Sequence, residues 1–450
     1  MKRFLLLLLL LLPLCLHAEQ VTVRLYSTAT IPGLTVHIER GHYRLYADDT
    51  LLIDSTLSTR SIVKIRDHKG RVALTVGKHN YGSFVSLKLV DDDSSTTGIL
   101  GIAPDQAKPR SYEGCLRISH NRNGGLLLVN QVDLETYLAG VVQSEIYGDL
   151  PDIYKVQAVI SRTWALLNLQ KHKADGYNFC DHVHCQAYHN RCTLPLIATS
   201  VEATAGQVLK DPANQLIETP FHANSGGETA NSEDVWRNAF SYLRSVADTF
   251  SLGMKQSSWE KSIPLELWLQ FIRKESKTQI DSDSLIYLAT HFNQPHRQGS
   301  WMGIPLKKFR TEFKLKSTFF DVEPDSAHNQ VLLHGRGYGH GVGLSQEGAI
   351  RQAQCGRTYE QILLYYYPGS HLSPTSTPSP QPLPLPMATP PVATTQPAQP
   401  ADSTSSASLP PASVNKAPTR SQKNKDKPTP KPKNTQEETS TEDSEWEFDW

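Results

Sequence analysis

Between Gly335 and Gly343 glycine stands at every second position, giving Gly335-Arg336-Gly337-Tyr338-Gly339-His340-Gly341-Val342-Gly343. Glycine adopts positive φ without a steric penalty and lets a backbone or ligand approach closely. The run therefore reads as a tight turn between regular elements, able to present the side chains between its glycines. Gln330–His334 ahead of it reads as a strand, as does Phe313–Lys316. Leu344–Gln354 and Tyr359–Tyr366 after it read as helices. The spacing matches neither G-x-G-x-x-G nor G-x-x-x-x-G-K-[ST], which excludes a nucleotide loop. Ser345 is not in a G-x-S-x-G context, which excludes a nucleophile elbow. Arg336, Tyr338, His340, Ser345 and Gln346 are candidate groove-lining groups; tight turn packing, with His340 structural, is the competing reading.

The chain before residue 110 speaks in period two. Val21-Thr-Val-Arg-Leu25, Tyr43-Arg-Leu45, Ser61-Ile-Val-Lys-Ile65 and Val85-Ser-Leu-Lys-Leu89 alternate apolar and polar residues between Gly, Asp and Asn breaks, as strands do. Cys115–Ile118 and Leu126–Val129 continue the pattern, with Asn121–Gly124 as a hairpin turn. Helical spacing then takes over. The expected class is α+β: a strand-rich region over 19–110, a mixed α/β domain over 111–372, and a tail over 373–450.

Asp133 to Val142 reads as a short helix capped by Asp133. Pro151 suits the first turn of a second helix, since its missing N–H costs nothing there. Ile153, Val156, Ile160, Thr163 and Leu167 give that helix one buried face, and Lys155 and Arg162 share another. Glu145 falls in the corner between the two helices. An acid there, walled by Ile146, Tyr147 and Leu150, has its pKa raised by desolvation and exchanges a proton near neutral pH. A surface glutamate is the plain alternative. Asp149 is the nearest second carboxylate.

Cys180-Asp-His-Val-His184-Cys185 packs thiols and imidazoles into six residues, with His172 before it. Thiolate and imidazole together suit tetrahedral zinc. Cys180, His184 and Cys185 form the expected core and His172 the fourth ligand. The alternative is free or disulfide-bonded cysteines. Phe221 to Thr229 runs a strand end into Asn224, Ser225 and two glycines, polar groups suited to sugar hydroxyls or to a plain turn. Trp236, Tyr242 and Tyr338 are candidate stacking surfaces.

The two ends differ in kind. Lys2 and Arg3 precede an apolar run from Phe4 to Leu16, and the small Ala18 follows, as in a signal peptide cleaved after Ala18. Leu14, where lipid attachment at Cys15 wants a small residue, makes lipidation the minority reading, and an uncleaved anchor is the plain alternative. Export to the periplasm or cell envelope is expected. The Pro/Ser/Thr-rich tail, then Lys-rich, lacks the apolar residues to offset its chain entropy and is expected to be disordered. The 45 basic and 45 acidic residues balance, which argues against nucleic acid as a partner.

Several segments together resemble the SpoIID/LytB family. They are Asn130–Leu138, Gly140–Glu145, Lys155–Thr163, Cys185–Tyr188, His222–Gly227, Gly335–Gln346 and Tyr365–Gly369. They span about Tyr112 to Leu372, and the tail is similar to that of chlamydial members. The resemblance implies a lytic transglycosylase that cuts peptide-stripped peptidoglycan glycan strands, in cell-wall remodelling or division. It places the catalytic acid at Glu145, followed here by Ile146-Tyr147 where the family has Met-Pro. It also implies zinc at Cys180–Cys185, structural rather than catalytic. In the implied mechanism Glu145 protonates the oxygen between N-acetylmuramic acid and N-acetylglucosamine. It then accepts the proton of the muramic C6 hydroxyl, which attacks C1 and leaves a 1,6-anhydro end. Lys155 and Arg162 would hold anionic groups of the strand. Two other readings follow: a non-catalytic glycan-binding module that enhances a partner amidase, and a metal-dependent amidase. Absence of H-E-x-x-H ranks the last one lowest. Glycan strands are the expected partner, with a cell-wall amidase or division proteins beside them.

Overall fold

The computed structural model describes residues 19–92, 97–276 and 283–375. The expected signal peptide and the tail beyond 375 lie outside the described residues. The expected class holds: the chain is α+β, strand-rich before residue 134 and mixed after it.

The alternating runs all become strands. A seven-stranded sheet has the order Phe179–Cys180, Gln20–Leu25, Leu126–Asp133, Cys115–His120, Ser86–Asp91, Tyr43–Ala47, Thr50–Leu57. A six-stranded sheet runs Arg110–Glu113, Ile99–Pro104, Gly33–Arg40, Ile62–His68, Arg71–Val76, His79–Phe84. Val21, Val23, Tyr43, Leu45, Val63, Ile65, Leu87 and Leu89 are all fully buried, so each alternation has one core face. Gly124 takes positive φ in the hairpin at Asn121–Gly125.

The expected boundary at residue 110 does not separate two cores. The seven-stranded sheet draws strands from both sides of it, and one apolar cluster runs from Val21 to Tyr367. The reason is pairing: Gln20–Leu25 lies antiparallel to Leu126–Asp133.

Among the described residues the helices are α1 (Leu134–Glu145), α2 (Pro151–Leu167), α3 (Pro195–Ala203), α4 (Ser232–Val235), α5 (Leu265–Ser276), α6 (Asp283–Thr290), α7 (Leu306–Glu312), α8 (Gln346–Gln354) and α9 (Tyr359–Tyr366). None is long and apolar enough to cross a membrane. A second apolar cluster, built on Trp268, Phe309, Phe320 and Leu333, unites α5, α6 and α7 with strands Ser258–Pro264, Phe320–Asp325 and Gln330–Arg336. Phe313–Lys316 is a turn, not a strand, because Phe313 is the C-cap of α7. The tail starts later than residue 373, since His371–Pro374 pairs with Gln207–Lys210.

The glycine run leaves this smaller sheet and enters the main body. Gly337, Gly339, Gly341 and Gly343 all have positive φ. A Cβ at Gly343 would sit 2.2 Å from the Pro220 carbonyl, and one at Gly335 1.9 Å from the Trp259 ring. Close approach here is to the protein's own backbone and core.

Candidate functional site: an enclosed glutamate clasped by two distant segments

Helix α1 begins where expected, the Asp133 carboxylate accepting the N–H groups of Glu135 and Thr136 at 3.0 and 3.1 Å. It runs past the expected end at Val142, so Glu145 is its last residue. Ile146 is extended and 6% exposed, turning the chain away. The Glu145 Oε1 accepts the Ala187 N–H at 2.6 Å. Burial pushes the Glu145 pKa up to about 7, and the Ala187 hydrogen bond offsets only part of that. Tyr147 is not the expected apolar wall, since it is 63% exposed. Asp149 is exposed on the loop before α2.

The segment after the glycine run closes on this corner. Gln346 Nε2 donates to the Glu145 carbonyl oxygen at 2.9 Å. The next residue, Glu347, is 2% exposed and accepts from Tyr147 Oη at 3.3 Å, Asn224 Nδ2 at 2.7 Å and the Gln256 N–H at 3.0 Å. Its place in the first turn of α8 suits a carboxylate, because the helix dipole is positive there. Ser345 caps α8 by accepting the Gly348 N–H at 3.2 Å.

Other predicted groove residues are architectural. Asn224, Ser225 and Ser345 are fully buried. Asn224 Oδ1 accepts the Gly226 N–H, and Ser225 Oγ donates to Asp248 at 2.7 Å. Arg162 is fully buried and makes a two-pronged pair with Glu135, Nε to Oε1 at 2.8 Å and Nη2 to Oε2 at 2.5 Å. Lys155 lies 3.8 Å from Asp152 and 5.5 Å from the centre of the Tyr359 ring, directed toward α9. Arg336 reaches Asp321 at 3.1 Å and stacks on Phe319, tying the glycine run to the smaller sheet. Tyr338 exchanges backbone hydrogen bonds with Asn224. His340 is 6% exposed; Nδ1 accepts the Val342 N–H at 3.1 Å, which leaves Nε2–H to donate to the Phe221 oxygen at 2.9 Å. Burial, with Arg310 nearby, drives its pKa down to about 3, so the ring is neutral. Of the predicted lining residues, Gln346 is the one brought onto Glu145.

The four predicted metal ligands converge. One donor atom from each of His172, Cys180, His184 and Cys185 lies within 4.8 Å of all the others. Cys185 Sγ is 3.4 Å from His172 Nε2 and 3.8 Å from His184 Nδ1, and Cys180 Sγ is 3.7 Å from His184 Nδ1. Metal–ligand bonds of about 2.3 Å to sulfur and about 2.0 Å to nitrogen give a tetrahedral S···N edge of roughly 3.5 Å, so these spacings fit. Asp175 Oδ2 stands 3.2 Å from the outer nitrogen of His172, the usual support for a ligating imidazole. The cysteines are free of disulfides. A hydrogen bond from Cys185 lowers the Cys180 thiol pKa and raises that of Cys185, one proton held between two sulfurs. Two residues beyond Cys185, Ala187 supplies the donor to Glu145. The other end of the loop is fixed by Asp181, which accepts from the Tyr26 and Ser27 N–H groups and Arg110.

Sequence reasoning missed Ala187 and Glu347. A main-chain donor leaves no side-chain signal, though Ala187 lies in the quoted Cys185–Tyr188 motif. Glu347 was visible as an acid in a helix's first turn.

The fold and site define a protein whose strand-rich body presents an enclosed acid beside a Cys/His cluster. The profile of the SpoIID family, stage II sporulation protein, matches residues 122–210, so the chain is similar to that family over this segment. It is 29% identical to stage II sporulation protein D of Bacillus subtilis over 269 residues, 54% of this chain and 76% of the relative. It is 27% identical to the amidase enhancer of the same organism over 291 residues, 52% of this chain and 40% of the relative. An uncharacterised protein of Brachyspira hyodysenteriae is 25% identical over 369 residues, 78% of this chain and 93% of that protein.

Proposed function

We propose that the chain is a lytic transglycosylase of peptidoglycan glycan strands, exported to the cell envelope, with Glu145 as its acid and base. The observation that carries this reading is the enclosed Glu145 carboxyl, raised to about 7 and held by one backbone donor. A carboxyl so poised is protonated often enough to give its proton and ionised often enough to take one back. Glu145 protonates the bridging oxygen as the bond from muramic C1 breaks. The C6 hydroxyl attacks C1, and its proton passes to the Glu145 carboxylate. One carboxyl restores itself over the cycle, so no second carboxylate and no water are required.

His172, Cys180, His184 and Cys185 are proposed to hold a structural zinc ion. Four protein donors complete a tetrahedron and leave no position for a reacting water. The ion would fix the loop that carries Ala187. A second reading, a glycan-binding partner of a cell-wall amidase, draws on the name of the amidase enhancer relative.

The test is digestion of peptide-free glycan strands by the intact protein and by Glu145→Gln, with products read by mass spectrometry. Anhydro-muramic ends made by the parent and missing with Glu145→Gln are the expected result. Strand binding without cleavage by the parent would favour the second reading.

A further inference from the structure

Two cavities flank the indole of Trp236, and Glu145 lines neither. One, of about 390 Å³, is walled by Trp164, Phe221, Phe240 and Trp236 and reaches Cys185 and Gln186. The other, of about 440 Å³, lies between Trp236 and His340 on one side and Lys307 and Arg310 of α7 on the other. Trp236 is only partly buried, yet its ring is held in place. It packs against His340 with ring centres 5.3 Å apart, and both nitrogens of that imidazole are engaged by backbone. A fixed aromatic face between two concavities suits flat, partly apolar rings, as pyranoses present.

The charges select among such ligands. Lys307, Lys308 and Arg310 line one cavity together with Glu275 and Glu312, and Lys171 and Arg237 line the other together with Glu218. That is five cations against three carboxylates, with Lys308 paired to Glu275. A phosphate-rich polymer would meet too few cations for its charge density. A saccharide with an occasional carboxylate fits the balance.

We propose that these cavities are consecutive subsites for an acidic linear saccharide. Trp236 is the wall they share, and Lys307 with Arg310 receive the lactyl carboxylate of one sugar. This rests on the glycan-strand reading above.

Binding in a Glu145→Gln background tests this without cleavage. The intact protein is titrated calorimetrically with a peptide-free tetrasaccharide containing lactyl carboxylates and with neutral chitotetraose. Trp236→Ala is expected to weaken both by about tenfold or more, and Trp236→Phe by less. Lys307→Glu, on an exposed residue, is expected to weaken the acidic ligand by about tenfold and the neutral one hardly at all. Circular dichroism shows whether each variant is folded. Unchanged binding of both saccharides by Lys307→Glu and Trp236→Phe would overturn the proposal, as would failure of the parent to bind either. If the wild-type chain cleaves strands while these variants bind normally, the subsites fall and the catalytic reading stands. Binding that depends on Trp236 in a chain that never cleaves leaves the subsites standing and removes the transglycosylase.

Discussion

Gln346 donates its side-chain amide to the main-chain oxygen of Glu145, 201 positions earlier in the chain. The bond satisfies a carbonyl at the open end of α1, one of the four that a helix leaves without an internal partner. It also fixes the backbone from which the Glu145 carboxyl projects. Gln346→Ala is therefore expected to cost about 1 kcal/mol of stability. Its effect on catalysis should be larger, a fall in kcat of roughly 10- to 100-fold, because a small misplacement of a reacting group is expensive. Strand-cleavage kinetics beside urea unfolding would check the contrast; equal, small effects on both would contradict it.

The Glu145 carboxyl carries a stability signature independent of catalysis. Its folded pKa of about 7 stands above its ordinary value of 4.5. Below the ordinary value the group is neutral in both states. Between about 4.5 and 7 the unfolded chain ionises and the folded one does not, so stability falls as pH rises, by roughly 3 kcal/mol in all. Above that window the penalty is constant. Glu145→Gln removes it, so the variant should gain on the parent at pH 8 and not at pH 4. Urea unfolding at the two pH values measures this.

If His172, Cys180, His184 and Cys185 hold zinc as proposed, removing it should be felt at the acid. A chelator, or Cys185→Ala, is expected to lower the melting temperature by several degrees and to abolish strand cleavage, since the loop bearing Ala187 loses its staple. Elemental analysis of the purified chain should find about one zinc per molecule. A metal-free chain with full activity and an unchanged melting temperature would rule the site out.

The Arg162–Glu135 pair predicts an asymmetry. Arg162 is fully buried, whereas the Glu135 side chain is 32% exposed. Glu135→Ala strands a guanidinium in the interior, while Arg162→Met leaves a carboxylate that water can reach. The first should cost about 3 kcal/mol or more, and the second less. Denaturant midpoints decide it, and a larger loss for Arg162→Met would reverse the assignment.

The sheets were legible because alternation has one buried face: Val63 and Ile65 could be placed inward from sequence alone. The Asp133 cap, the convergence of His172, Cys180, His184 and Cys185, and the placement of Glu145 at the end of α1 were legible because side-chain chemistry marks each of them. Arg162 was misread because a cation on a helix looks the same whether it meets ligand or a half-buried carboxylate 27 residues away. His340 was misread for a related reason, since its partners are backbone atoms of Phe221 and Val342. Trp259–Pro264, directly ahead of α5, is a strand because it pairs with Gln330–Arg336, a tertiary effect no local window contains.

The span between Glu145 and Gln346 also sets an order in time. As the chain is synthesised, α1 and the Cys/His loop are complete long before Gln346 exists. The clasp can close only when a loop of 201 residues has been drawn together, and contacts so distant in sequence form late. A nascent or truncated chain therefore carries its acid unaligned. On the transglycosylase reading, glycan strands are spared until nearly all of the described fold has been made.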